Sequence, residues 1–598
     1  SARSVQYFEL CVDRSVSQLV SHSSVLLGGF LVLTCGVMCQ KEDILEPKVK
    51  ISQGTVVGST TEDGYYEFYG IPYADSTSGA NRFQAPSPPP TFRNDFLSNR
   101  KNVKCIKAVG TGYEGTEDCL VFDIITPTLD RTRRLPVMVW IKGTEFDART
   151  DLDQSLRFIQ KDVVVARLNY RESILGFLCL GTKSAPGNAG LKDIIAGLKL
   201  IQKEVSVFGG DPNNIILVGH GSEGLVHKVI SQSGTALSPW AVTRDNLRYA
   251  IQVAEALGHT VTSIDTLSEI LTRSSTAALM AAISELELTD NSLAFAPCIE
   301  KEIENEEAFM LKTPYEIIKA GEQIKIPFMT GFVDYEGTIR ANEGVNDDWL
   351  ERMQNNFIEF LQSDLDFSSS EEKQKTSEEI KSFYFGNGTI DETQVNNFLK
   401  YNGDTMILVS AIREARMRAE TSNSPVYLYQ FSYRGKRSEE VLSRPIQVER
   451  AGHTEELVYM FTNEDNLTDL DLTIGDILIE RWTNFAKTGL PTSETSTETW
   501  LPYYNSTLSY YLRIIDDEEL VESGNSNLDF NIMDPQPETV AFWDIIYSEY
   551  FADAQSSFSL EDRNEDEPGS ASTAVGYTFV IISLFAVLDK IHTTQLLS

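Results

Sequence analysis

Ile215, Ile216, Leu217 and Val218 form a continuous apolar run, rich in β-branched residues, that predicts a strand buried on both faces. It runs into Gly219, His220, Gly221, Ser222, Glu223 and Gly224, enough glycine for a tight turn. A strand ending in such a turn can hold a nucleophile above a sheet edge, in the pattern Gly-x-Ser-x-Gly. Here Gly221 occupies the serine position. Sliding the frame by one makes Ser222 the candidate, but His220 then stands two residues before it, where a strained elbow needs a residue that relaxes as glycine does. Only eight residues separate Gly219 from Lys228, where the next apolar run begins. Neighbouring parallel strands need a crossover of about ten to twelve residues or more, usually a helix, and the N-terminus of that helix supplies an oxyanion amide. The turn as written lacks both the nucleophile and its seat.

Three further stretches carry groups that could take part in the same chemistry. Leu135 to Ile141, LPVMVWI, predicts another buried strand, followed by Lys142, Gly143, Thr144, Glu145 and Phe146. The strand-like FMTGF leads to Asp334, Tyr335, Glu336 and Gly337, so Glu336 lies in a turn just past a strand end. His453, one of six histidines, lies in Ala451, Gly452, His453, Thr454, Glu455, Glu456, Leu457. Read in order with FGGDPNN before the glycine turn and SQSG after it, these stretches resemble the type B carboxylesterase and cholinesterase family of α/β-hydrolases. The resemblance implies a large central, mixed, mostly parallel sheet flanked by helices, with helical cap insertions; the elbow helix is missing. It makes Glu336 and His453 a remnant catalytic triad, with Gly221 at the nucleophile position. In that family the strand before Lys142 delivers HGGG, whose glycine amides form the oxyanion hole. Here Gly143 is the remnant, and β-branched Thr144 and anionic Glu145 stand where glycines would.

The resemblance extends over residues 49–547 as one domain. It includes GTVVG, FYGIPYA and RFQAPSP near the start, YRESILGFL with GNAGLKD in the middle, and ERWTNFAKTGLP near the end. It implies structural ion pairs between Arg82 and Glu117 and between Arg171 and Asp193, and a disulfide between Cys105 and Cys119, the latter ending in EDCLVFDIITP. Cys179 and Cys298 have no family counterpart and are expected as buried free thiols. No cofactor and no metal is implied.

Residues 1–40 read as an N-terminal extension and signal peptide: the first methionine is Met38, and residues 25–38 are an apolar stretch of leader length before polar KEDILEPK. Sequons at Asn387, Asn466 and Asn505 fit a secreted glycoprotein. The net charge of −36 argues against nucleic acid or an anionic membrane face as partner. Residues 555–572, acidic and rich in small side chains, read as a disordered stalk. Residues 573–598 hold a hydrophobic tail that fits a lipid-anchor signal or a short span about equally, with a slight lean to the anchor and a soluble secreted form third; either of the first two attaches the domain to a membrane outside the cell. Two functions stay open. One is a catalytically inactive, extracellular carboxylesterase-like protein used for adhesion to a protein partner or for binding a hydrophobic, ester-like ligand. The other is an active carboxylic ester hydrolase, a serine esterase whose sequence here lacks the segment carrying the nucleophile.

Overall fold

The apolar runs assemble into an eleven-stranded sheet in a computed structural model of the chain. The structure describes residues 46–110, 112–141, 155–219, 226–288, 294–346, 348–436, 446, 448–461, 467–496, 499–515 and 528–560. All of them belong to a unit beginning at Glu46. In chain order the strands are β1 (Ser59–Thr60), β2 (Tyr66–Pro72), β3 (Val121–Thr126), β4 (Leu135–Ile141), β5 (Val164–Leu168), β6 (Gly210–Gly219), β7 (Lys228–Gln232), β8 (Phe328–Val333), β9 (Val426–Phe431), β10 (Tyr511–Ile514) and β11 (Leu528–Ile532). Their order in space is 11-10-9-8-7-6-4-5-3-2-1. From β5 through β4 to β10 every pairing is parallel, and the outer strands are antiparallel. This is the large, mostly parallel sheet of an α/β-hydrolase.

Alternation within the central strands sends side chains to two separate cores. Val137, Val139, Ile141, Ile215 and Leu217 face one, where Leu191, Ile194, Leu198 and Ile201 of α1 (Ala189–Glu204) cover them. Met138, Trp140, Ile216 and Val218 face the other. There, Ile474, Leu478, Trp482 and Phe485 of α3 (Asp469–Thr488) close the layer. A parallel sheet covered on both faces has this pattern of near-continuous apolar strands. Strand β9, VYLYQF, alternates in sequence but is buried along its whole length, because α3 lays Trp482 against Tyr429 at 5.1 Å between ring centroids. In the first of these cores α2 (Val409–Thr421) buries its Ala411, Ile412 and Ala415.

One expectation needs correction. Cys179 and Cys298, expected as free thiols, form a disulfide, 119 residues apart in sequence. Gly187 makes room for it: at φ +116° it carries no Cβ, and one built there would lie 2.8 Å from the sulfur of Cys179 and 2.9 Å from that of Cys298. Asn188 then bridges the two segments, donating to the Cys298 carbonyl at 2.8 Å and accepting from its N–H at 2.9 Å. Of the segment expected as a stalk, residues 555–560 are described, and Leu560 packs against the core. Ile299 N–H donates to the Ser556 hydroxyl at 3.1 Å, and a Cβ built at Gly181 would lie 2.8 Å from the Phe558 ring. Just before them α4 (Pro537–Tyr550) leads into a strap that Arg244 holds by the carbonyls of Ala552 and Asp553, at 2.9 and 2.8 Å. Residues 561–572 of the expected stalk, residues 1–40 of the expected extension and signal peptide, and residues 573–598 lie outside the described residues.

Candidate functional site

Strand β8 ends at Val333, and the chain turns at once into a short 3-10 segment beginning at Glu336. The turn is tight because Gly337 follows. A Cβ there would sit 1.8 Å from the carbonyl oxygen of Leu399 and 2.9 Å from the nitrogen of Gly403, so any other residue would push the turn off its neighbours. One Glu336 oxygen folds back to accept the Val333 N–H at 2.8 Å. The other meets Nδ1 of His453 at 2.5 Å, across 117 residues of chain.

The histidine is placed by backbone bonds as much as by its acid partner. The loop after β9 returns to run beside Tyr335, whose N–H donates to the Ala451 carbonyl at 2.9 Å. His453 N–H donates to the Thr338 hydroxyl at 2.9 Å, and Thr338 belongs to the same 3-10 segment as Glu336. Thr454 then adopts φ +68° to start the helix Glu455–Met460, and the Glu455 carboxylate caps back onto the Gly452 N–H at 2.8 Å. Glu336 and His453 are thus held by one turn and one loop, and both are almost wholly buried, at 1 and 4% exposure. A carboxylate on Nδ1 fixes the imidazole with Nε2 as its other face, the arrangement in which a histidine can serve a nucleophile as general base.

A second acid lies under this pair. Glu456 accepts from the Gln232 side chain, at the end of β7, at 3.3 Å. Burial, reinforced by the negative charge of Glu336, pushes its pKa up to about 7. The sequence placed Glu456 beside His453 but gave no sign that it would touch β7; that contact depends on strand order, which no local pattern carries.

The elbow position is approached by β6 and β7, which pair in parallel from Ile216 opposite Lys228 to Gly219 opposite Ser231. The pairing is continued one step back by His227, whose N–H donates to the Ile215 carbonyl at 2.8 Å and whose Nδ1 accepts the Ile215 N–H at 3.1 Å. Eight residues, 220–227, lie between Gly219 and Lys228. Gly221 and Ser222 themselves, with Gly143 of the other loop, lie outside the described residues.

The remaining expected pairs stand apart from this centre. Arg82 reaches Glu117 at 2.8 Å, and Arg171 meets Asp193 through two side-chain bonds of 2.5 and 2.7 Å and a backbone N–H bond of 3.1 Å. Burial raises the Asp193 carboxyl and the Arg171 charge opposes the rise, as in a structural pair sealed inside the core. Cys105 and Cys119 are joined as a disulfide with 5.0 Å between Cα atoms. Asn387 and Asn505 are on the surface or partly so, and the Asn505 side chain accepts from the Thr507 hydroxyl at 2.7 Å; Asn466 lies outside the described residues. Among the described residues no cluster of acidic, histidine or cysteine side chains could hold a metal ion.

Comparison with known proteins agrees with this architecture. The model of the carboxylesterase family matches residues 45–533. The chain belongs to the carboxylesterase family. It is 29% identical to a carboxylic ester hydrolase of Bombus ignitus over 81% of this chain and 93% of that one. It is also 28% identical to a juvenile hormone esterase of Tribolium castaneum over 74% of this chain and 84% of the relative. Neuroligin-2 of Rattus norvegicus is a further relative, 27% identical over 71% of this chain and 57% of its own. Among solved structures, juvenile hormone esterase from Manduca sexta with OTFP covalently attached superposes with a TM-score of 0.73 at 26% identity, covering 84% of this chain and all of that one. Two disulfides in a member of this family belong to a chain folded in the secretory pathway. Among the described residues no helix is long and apolar enough to cross a membrane.

Proposed function

We propose that this carboxylesterase-family chain, as written, is a non-catalytic extracellular protein that binds a protein partner or a hydrophobic, ester-like ligand. The observation that carries the reading is the pairing of β6 with β7. Their register leaves eight residues between Gly219 and Lys228, too few for the helix that presents a nucleophilic serine and an oxyanion amide. Gly221 stands where the family pattern has its serine, the group that an acid–histidine pair activates in that family. The substitutions at Thr144 and Glu145 in the second oxyanion loop support the same reading from a distant part of the sequence. Attachment outside the cell through residues 573–598, by lipid or by a short span, completes it.

The Glu336–His453 contact at 2.5 Å favours a second reading, an active carboxylic ester hydrolase once a missing elbow segment is restored. Both members of the pair are kept buried, as the acid–histidine half of an esterase triad would be. Purified protein assayed with p-nitrophenyl butyrate, with and without a serine-directed organophosphate, separates the two. The non-catalytic reading expects no organophosphate-sensitive turnover. Turnover abolished by the inhibitor would overturn it, and sequencing of the transcript across Gly219–Leu225 would then be expected to reveal a Gly-x-Ser-x-Gly segment.

A further inference from the structure

After α4 the strap runs beside the loop that carries Asp364: the Ala552 N–H donates to the Asp364 carbonyl at 2.9 Å, and Phe551 bridges to Leu365. Between strap and body lies a partly open cavity of about 30 Å³. Arg413 of α2 and Asp364 both line it, with Arg244 and Asp553 beside them. The Arg413 guanidinium stands 3.8 Å from the ring centre of Tyr547 and 4.9 Å from that of Phe551. Two aromatic faces hold the cation in place and leave its N–H groups without acceptors. Among the described residues it makes no hydrogen bond and no ion pair, and its Nη1 is buried without a partner.

Asp364 is 2% exposed. One of its carboxyl oxygens accepts from the Tyr547 hydroxyl at 3.3 Å; the other, Oδ2, is buried and has no partner. The neighbouring charges are already engaged. Arg244 donates to the carbonyls of Ala552 and Asp553, and Asp553 accepts from the Thr313 hydroxyl and the Ala554 N–H. Buried polar atoms are satisfied in the great majority of cases, because an unmet one keeps its desolvation cost. One cavity here presents a charged donor and a carboxyl oxygen, each lacking its complement.

From this geometry we infer that the cavity is a binding site for a primary carboxamide, whose C=O accepts from Nη1 of Arg413 and whose NH2 donates to Oδ2 of Asp364. The size fits. At about 15 Å³ for each water-sized group the cavity admits two, the oxygen and the nitrogen of one amide head. The charges fit as well. A carboxylate would bring its charge to Asp364 and Asp553, and an ammonium would bring its own to Arg244 and Arg413, whereas an amide carries donor and acceptor without net charge. Burial raises the pKa of the Asp364 carboxyl, and the charges of Arg413 and Arg244 oppose the rise. An amide meets either form, since its NH2 donates to an ionised carboxyl and its C=O accepts from a protonated one. Pro239, Val242 and Pro314 of the lining offer apolar surface to whatever carries the amide. The site uses neither Glu336 nor His453 and does not rest on the non-catalytic reading.

The test is a ligand-observed NMR titration of the whole folded protein with benzamide, N,N-dimethylbenzamide and benzoate, joined to a crystal structure of the protein soaked with benzamide. Benzamide should bind with a Kd of about 10 mM or tighter, the range expected of a ligand of its size. The other two should bind about tenfold or more weakly, because each lacks the N–H donor that Asp364 accepts. Arg413→Met, which keeps an unbranched stem against Tyr547 and Phe551, should weaken benzamide by about tenfold or more with an unchanged circular dichroism spectrum. In the crystal the carboxamide should lie between Nη1 of Arg413 and Oδ2 of Asp364, a result that needs no variant and decides the matter if Arg413→Met fails to fold. Ordered water alone in the cavity of the soaked crystal overturns the assignment. So does equal affinity for the three probes, or undiminished benzamide binding by folded Arg413→Met.

Discussion

Removing the Cys179–Cys298 disulfide should cost more stability than removing the Cys105–Cys119 disulfide, although both are buried. The reason is the length of chain each closes in the unfolded state. Cys105 and Cys119 are 14 residues apart, which the loop-entropy model converts to about 3 kcal/mol at 25 °C. Cys179 and Cys298 are 119 apart, which gives about 5 kcal/mol. The folded state should tolerate the loss, because Asn188 still bonds both backbone groups of residue 298 and Lys192 still pairs with Glu300 at 2.6 Å. The experiment compares two double variants, Cys179→Ala with Cys298→Ala and Cys105→Ala with Cys119→Ala, by guanidinium unfolding monitored through tryptophan fluorescence. Equal slopes with midpoints ordered as above are expected, with a difference of about 2 kcal/mol between the variants. If the pair that closes the shorter loop proves the costlier, the entropic account fails for this chain.

Gly337→Ala places a methyl group against the Leu399 carbonyl and should destabilise by about 2–3 kcal/mol, read as a lowered thermal midpoint; an unchanged midpoint would mean the turn moves freely. Glu456 has a folded pKa raised to about 7, so the folded state binds the extra proton between the ordinary carboxylate value and that figure. Its contribution is present at acid pH and is lost as pH rises through about 4.5 to 7, by about 3 kcal/mol in total. Glu456→Gln should flatten the stability profile over that window, and an identical profile in the variant would contradict the assignment. Asn505→Gln should abolish one glycan, seen as a mobility shift of the secreted protein that matches enzymatic deglycosylation of that site.

How far the sequence could be read varied with the range of the interaction. The central strands were legible because each is its own evidence: LPVMVWI and IILV are apolar at every position, and a doubly covered parallel strand demands that. Strand β9 misleads for the complementary reason. Its alternation of Tyr and aliphatic side chains suggests a wet face, and only the arrival of Trp482 from a helix 50 residues later makes both faces dry. Glu336 and His453 were found through their local turns, Asp-Tyr-Glu-Gly and Gly-His-Thr-Glu-Glu-Leu, while their meeting at 2.5 Å is a product of strand order. The second disulfide was hidden because no motif surrounds Cys179 or Cys298. The even number of cysteines beyond residue 40 was the one signal that could have suggested it. The packing of residues 555–560 was invisible to composition, since the Ser556 hydroxyl and Leu560, which rests against the core, belong to a segment that otherwise looks solvated.

The short crossover also has a consequence for how the sheet is built in time. Ile216 pairs with Lys228 at a separation of 12 residues, whereas the next parallel contact outward joins Val229 to Phe328, 99 residues on. Closing the shorter loop is cheaper by about 2 kcal/mol of chain entropy, from the logarithmic dependence on loop length. Sequence-distant pairings are the slow ones in folding. The middle of this sheet can therefore form first, as a local parallel ribbon on which β8 and β9 later dock. Conservative truncations at Ile216 and Val229 should slow refolding, while the same change at Phe328 should mainly hasten unfolding.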